Sequence, residues 1–191
     1  MEALFVSMGV VAFAELGDKT QLLAILLAAR FRAPIPIIFG ILLATIVNHT
    51  LAAALGTYIG AWLGENLWWI LAASFLAMGI WTLLPDRLET EPKLFEKFGA
   101  FGATLIAFFL VEMGDKTQLA TMALAARFDS VIPVAMGTTL GMMIADVPAV
   151  YLGEIVANRI PLKLMRMVAA VIFILLALAA VLDWGRRFLF A

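Results

Sequence analysis

The chain has 191 residues, of which 64% are hydrophobic and 14% are charged, with no cysteine, one histidine and a formal net charge of −1. Soluble domains usually contain about 25% charged residues, so the composition excludes an ordinary soluble enzyme, a disordered protein and a disulfide-stapled secreted domain. The near-neutral charge leaves no basic face for nucleic acid. We therefore expect an all-α membrane protein whose surroundings are the lipid bilayer.

Six long apolar runs predict six transmembrane helices, because a helix needs about 20 apolar residues to cross the hydrocarbon core. The third run is slightly short, and the other five are long enough. Prolines, glycines and charged residues separate the runs. The predicted spans are Ala3–Ala29, Ile35–Leu63, Leu67–Leu84, Gly99–Ala126, Val131–Ala157 and Leu162–Leu182.

The chain repeats itself at a constant offset of 97 residues. The segment Glu15–Phe31 matches Glu112–Phe128 at 12 of 17 positions. We predict a first three-helix repeat at 1–84, a charged cytoplasmic connector at 85–98 and a second three-helix repeat at 99–191. Because three spans are an odd number, the second repeat should enter the membrane from the opposite side, as in many secondary transporters.

Lysine and arginine are distributed unequally between the two sides of this predicted topology. One side carries eight of them and the other three, and the richer side should be cytoplasmic. Both termini would then lie outside. The eight are Arg30, Arg32, Arg87, Lys93, Lys97, Arg159, Lys163 and Arg166, and the three are Arg127, Arg186 and Arg187.

Six ionisable residues lie near the middle of the first and fourth predicted spans. Glu15 is about 12 residues into its span, or roughly 18 Å at helical rise. Charged groups at this depth are costly and usually mark a transport pathway or a binding site. The six are Glu15, Asp18, Lys19, Glu112, Asp115 and Lys116.

The four carboxylates of this set predict a metal site. Glu and Asp at i, i+3 share one face of a helix, so two inverted helices can present Glu15, Asp18, Glu112 and Asp115 to one point. Clustered hard oxygen ligands suit calcium, manganese or magnesium. If both lysines stay protonated, the set carries a charge of −2, which balances one divalent cation.

Uncharged residues of the two motifs are expected to support the site. Gly17 and Gly114 disfavour a helix interior, so they can mark local unwinding that frees carbonyl groups as extra ligands. Four side chains supply neutral oxygens: Thr20, Gln21, Thr117 and Gln118.

Other interpretations of these residues remain open. Lys19 and Lys116 lie four residues after Glu15 and Glu112, so they can form structural ion pairs, balance charge or take part in proton coupling. A second polar set lies at matched repeat positions in the second and fifth spans, where a supporting shell or proton relay competes with structural hydrogen bonding. It consists of Asn48, His49 and Asp146.

Small residues in the second and fifth spans predict close helix packing, as is common in membrane proteins. They are Gly40, Gly56, Gly60, Gly137, Gly141 and Gly153.

The doubled Glu-x-Gly-Asp-Lys-Thr motif resembles that of the Gdt-type cation exchanger family, across essentially the whole chain. The resemblance implies exchange of calcium or manganese against protons, with the motif residues at 15–20 and 112–117 in the site. Many eukaryotic members have a long amino-terminal extension and a long acidic central loop. Their absence here favours a bacterial, MneA-like manganese exporter in the inner membrane.

The resulting hypothesis is a proton-coupled antiporter that exchanges Mn²⁺, or alternatively Ca²⁺, for protons. Protons should occupy the empty site because crowded carboxylates repel one another, and an entering cation should displace them. A divalent-cation channel using the same carboxylates is the alternative. An intramembrane metalloenzyme is disfavoured by the single histidine and the missing cysteines, so we expect no enzyme activity and no resident cofactor. The sequence predicts no oligomeric state.

Overall fold

The computed structural model describes residues 1–84, 97–152 and 162–190, and within these ranges the regular structure is helical. In chain order the α-helices are α1 Glu2–Glu15, α2 Lys19–Phe31, α3 Pro34–Leu63, α4 Leu67–Thr82, α5 Gly99–Glu112, α6 Lys116–Phe128, α7 Val131–Leu152 and α8 Leu162–Phe190. A 3₁₀ turn, Gly64–Asn66, joins α3 to α4. Most of the predicted connector, residues 85–96, lies outside the described residues, as does Gly153.

Three segments of the described chain are long and apolar enough to cross a membrane: Pro34–Thr82, Val131–Leu152 and Arg166–Asp183. Large apolar side chains such as Leu51, Ile80 and Ile132 are more than half exposed on the helices. Such an exposed apolar surface suits lipid rather than water. The architecture is therefore that of a helical membrane protein.

The first and fourth predicted spans are not single helices. Each is divided into a 14-residue and a 13-residue helix, α1 with α2 and α5 with α6. Each half alone is too short to cross about 30 Å of hydrocarbon. The breaks fall at residues 16–18 and 113–115, so the local unwinding predicted at Gly17 and Gly114 is present.

The internal repeat extends to the helix boundaries. Helices α5 and α6 begin and end 97 residues after α1 and α2, and α7 begins 97 residues after α3. The residues that follow α2 and α6, Arg32 and Asp129, both have left-handed backbone conformations. Similar local sequence thus forms the same broken helix twice.

The two repeats are packed into each other. Helix α1 lies against α7, and its counterpart α5 lies against α3, which also contacts α6 and α7. Two apolar cores result. One includes Phe75, Leu124 and Phe173, and the other includes Leu27 and Ile41.

Glycines set the closest of these helix contacts. A Cβ at Gly40 would lie 2.9 Å from the carbonyl oxygen of Phe101, and one at Gly137 would collide with the carbonyl of Leu4. These two contacts are related by the repeat offset. A Cβ at Gly56 would collide with Met122. Gly60 and Gly141 approach other helices in the same way, at Ala126 and at Met8 with Ala12, so close packing is confirmed at the five described glycines.

Candidate cation site at the two helix breaks

Each helix break is a tight turn that requires glycine. Leu16 has φ −63° and ψ 111°, Gly17 has φ 81°, and the Asp18 amide donates to the carbonyl of Glu15 over 3.0 Å. This is the pattern of a type II turn, whose third residue has a positive φ that favours glycine. Gly114 occupies the same position in the second break, with φ 78°.

The motif glutamines stabilise these turns. Gln21 Oε1 accepts a hydrogen bond from the amide of Gly17 at 2.9 Å, and Gln118 Oε1 accepts one from Gly114 at 2.7 Å. Gln21 also donates to the carbonyl of Ala145 in α7 at 3.1 Å. The glutamine side chains therefore accept hydrogen bonds from backbone amides of the turns, whereas the sequence had indicated these glutamines only as oxygen ligands.

The break overturns one geometric expectation. Glu15 ends α1 and Asp18 precedes α2, so they do not share a face of one continuous helix. The same is true of Glu112 and Asp115. The i, i+3 relation holds only along an uninterrupted helix, and a glycine with positive φ interrupts it.

The lysines form crossed ion pairs between the repeats. Lys19 Nζ lies 2.8 Å from Asp115, and Lys116 Nζ lies 2.7 Å from Asp18. Each lysine thus contacts an aspartate of the other repeat, a pairing different from the i, i+4 contact with the preceding glutamate that the sequence offered. Helix spacing within one repeat does not reveal these contacts between repeats, although the symmetry of the repeats permits them.

The two ion pairs differ in exposure. The side chain of Lys116 is 2% exposed, whereas that of Lys19 is 21% exposed. Gly114, next to Asp115, is also exposed, whereas Gly17 is buried. The site is therefore more accessible beside the Lys19–Asp115 pair.

Three buried carboxylates meet between the breaks. Glu15, Glu112 and Asp115 each offer an oxygen, and these oxygens lie within 4.8 Å of one another. Asp18, the fourth predicted ligand, is not in this cluster, and its Oδ1 is instead within 2.7 Å of Lys116 Nζ. This spacing suits a shared cation with oxygen ligands.

The two glutamates are held differently. Glu15 accepts hydrogen bonds from the hydroxyl groups of both Thr20 and Thr117, one from each repeat. Neither carboxylate oxygen of Glu112 has a hydrogen-bond partner in the described part of the chain, although the residue is fully buried. Buried carboxylates are normally paired or bound to a metal, so Glu112 is the member of the cluster most in need of a ligand.

Of the second predicted polar set, Asp146 interacts with this cluster. Asp146 is fully buried, has no hydrogen-bond partner among the described residues, and interacts electrostatically with Glu15 and Glu112. His49 is equally buried, and neither ring nitrogen has such a partner there. Asn48 donates to the carbonyl of Phe109 at 3.1 Å. Structural hydrogen bonding thus accounts for Asn48 but not for His49 or Asp146.

The charges of the site follow from these pairings. Each motif aspartate is offset by a lysine from the other repeat. In the cluster the carboxylates of Glu15 and Glu112 remain, and together they can balance the charge of one divalent cation when the nearby Asp146 carboxyl group is protonated. Calcium, manganese and magnesium all accept such oxygen ligands.

Comparison with known proteins supports a transport role. The family profile "Divalent cation/proton antiporter GDT1" matches the chain twice, at residues 3–90 and 100–187, once in each repeat. A Vibrio cholerae protein named "Putative manganese exporter" is 50% identical over 181 residues, covering 94% of this chain and 90% of that protein.

More distant relatives carry the family name. A GDT1-like protein of Synechocystis is 30% identical and covers 93% of this chain and 94% of its own length. The Arabidopsis thaliana "GDT1-like protein 3" is 27% identical over 91% of this chain and 68% of its own length. No solved structure matches the chain.

Proposed function

Because the chain belongs to the GDT1 family of divalent cation/proton antiporters, we propose that it exchanges Mn²⁺ for protons across a bacterial cell membrane. The supporting observation is the buried cluster of Glu15, Glu112 and Asp115, in which Glu112 has no protein hydrogen-bond partner among the described residues. Manganese is proposed because the 50% identical relative is named for it. Calcium, which takes the same oxygen ligands, is the competing cargo.

The coupling follows from competition for the same oxygens. A cation needs the carboxylates deprotonated, and a vacant cluster of close carboxylates favours proton uptake. If the site reorients only when it holds either protons or the cation, the two fluxes are coupled. Asp146 and His49, which are both fully buried, are the proposed route for protons, while Lys19 and Lys116 balance the aspartates.

The proposed architecture is six spans in two inverted three-helix repeats, with both termini outside. It is supported by helix boundaries that recur at an offset of 97 residues and by the crossed pairs Lys19–Asp115 and Lys116–Asp18. Broken helices whose ends meet at the membrane midplane are typical of such transporters. The proposed division remains 1–84, 85–98 and 99–191.

The family match does not support the channel alternative, and the flux experiment separates the two directly. Purified protein in proteoliposomes is given Mn²⁺, Ca²⁺ or Mg²⁺ in turn, with and without a pH gradient. We expect saturable Mn²⁺ flux that is accelerated by an opposing proton gradient and that moves protons the other way. Non-saturating flux without proton movement would contradict the proposal.

The orientation has its own test. The chain has no native cysteine, so a single Pro92→Cys substitution in the connector reports one site. An impermeant thiol reagent should label it only after the cells are broken. Labelling in intact cells would reverse the proposed orientation, and a cysteine at Glu2 serves as the matched site on the opposite side.

A further inference from the structure

The repeats share one motif, yet the structure places them in unequal environments. Asp115 belongs to the carboxylate cluster, whereas its repeat counterpart Asp18 does not. Both threonine hydroxyls donate to Glu15, and neither donates to Glu112. Since the motif residues that make these contacts are identical in the two repeats, the difference does not come from the motif sequences themselves.

Accessibility follows the same asymmetry. The Lys19–Asp115 pair lies on the more exposed side, while the Lys116–Asp18 pair is almost fully buried. Asp115 uses Oδ1 to contact Lys19, and its Oδ2 has no hydrogen-bond partner in the described residues. A carboxylate that belongs to the cluster with both glutamates and also lies beside the more accessible ion pair is well placed to meet an incoming cation.

The end of the site formed by α6 is tightly packed. Helix α6 is held tightly on α3, where a Cβ at Gly56 would collide with Met122 and one at Gly60 would lie 3.1 Å from Ala126. Its last turn is also joined to α8 by the Arg127–Asp183 ion pair at 3.0 Å. Two inverted repeats can exchange their conformations to give the opposite state.

We propose, resting on the exchange function above, that the third carboxylate around the cation alternates between access states: Asp115 in the state described here and Asp18 in the opposite one. In the opposite state Thr20 and Thr117 donate to Glu112 instead of Glu15. The two glutamates hold the cation throughout, and one aspartate is exchanged for the other as the accessible side changes. Lys19 and Lys116 each accompany the aspartate that they contact.

The proposal predicts that symmetry-related variants act on opposite faces of the membrane. Two double variants form the matched pair. One combines Lys19→Gln with Asp115→Asn, and the other combines Lys116→Gln with Asp18→Asn. Each double variant neutralises both members of one crossed ion pair, so neither charge of that pair is left facing a neutral partner. Initial rates of Mn²⁺ exchange are measured in proteoliposomes of one orientation, with Mn²⁺ added to either face.

We expect each double variant to raise the KM for Mn²⁺ by at least about tenfold on one face and by less than about threefold on the other, with the faces reversed between the two variants. A role in folding alone would alter both faces equally. Asp115→Glu and Asp18→Glu, which keep the charge but displace the carboxylate, provide a second pair and should show the same reversal more weakly.

Three results would overturn the alternation. They are an increase in KM on the same face for both double variants, an equal increase on both faces, and complete loss of flux at saturating Mn²⁺ in both directions. The last result would mean that one aspartate is needed in both states. Wild-type protein that fails to exchange Mn²⁺ for protons at all would instead overturn the proposed function, so the two failures are distinguishable.

Discussion

The first and second motifs make an informative comparison because their sequences are nearly the same and their surroundings are not. Glu15 accepts hydrogen bonds from two threonines, whereas Glu112, equally buried, has no hydrogen-bond partner in the described chain. Lys116 is almost fully buried and Lys19 is partly exposed. Equivalent residues of the two repeats can thus have different hydrogen-bond partners and different exposure in one conformation of the protein.

The largest expected effect concerns the two glutamates. Glu15→Gln and Glu112→Gln should each reduce Mn²⁺/proton exchange by at least about 100-fold, because either change removes half of the negative charge that balances the cation. Flux in proteoliposomes measures this, with Glu2→Gln at the exposed amino terminus as the matched control. Wild-type flux in a folded double variant would contradict the assignment of the site.

The same two variants should also differ in thermal stability. Glu15→Gln disturbs two buried hydrogen bonds, each worth roughly 0.5–1.5 kcal/mol, whereas Glu112→Gln disrupts no hydrogen bond present in the described structure. Thermal unfolding in detergent without metal should therefore show a lower midpoint for Glu15→Gln than for Glu112→Gln. Equal midpoints would mean that the two glutamates have equivalent surroundings in solution.

Removing a lysine should also destabilise the protein more at the buried ion pair than at the partly exposed one. Removing one partner of a buried pair costs about 3–5 kcal/mol, so Lys116→Gln should be strongly destabilising. Lys19→Gln should cost about 1–2 kcal/mol, since a partly exposed pair is closer to the surface case. Unfolding midpoints of the two variants test this order. Adding Asp18→Asn to Lys116→Gln should recover stability, and a further loss would contradict the pairing.

The smallest effect concerns the turn at Gly114. A Cβ there would meet nothing within 4 Å, so Gly114→Ala tests backbone conformation alone. The positive φ of 78° should cost about 1–2 kcal/mol for alanine. Gly9→Ala in α1, where a Cβ also meets nothing within 4 Å, is the matched helical control and should be neutral or slightly stabilising. Equal stability of the two variants would contradict the turn.

Much of this arrangement could be predicted from the sequence. The repeat offset and the depth of Glu15 and Glu112 predicted two matched spans that meet at a buried acidic site, and the unusual glycines indicated local unwinding within each span. The pairing of Lys19 with Asp115 could not be predicted from helix spacing, because the i, i+4 rule assumes a continuous helix. The unequal surroundings of Glu15 and Glu112 could not be predicted either, since the motif residues that make the contacts are identical in both repeats and the difference arises only in the folded structure.

Proton counting tests the central claim most directly. Calorimetric titration with Mn²⁺ in buffers of different ionisation enthalpy gives the number of protons released on binding. Because cation and protons compete for the carboxylates, we expect at least one proton released per Mn²⁺ near pH 7, and an affinity that rises about tenfold per pH unit for each proton released. Tight binding with no proton release between about pH 6 and 8 would contradict exchange at this site.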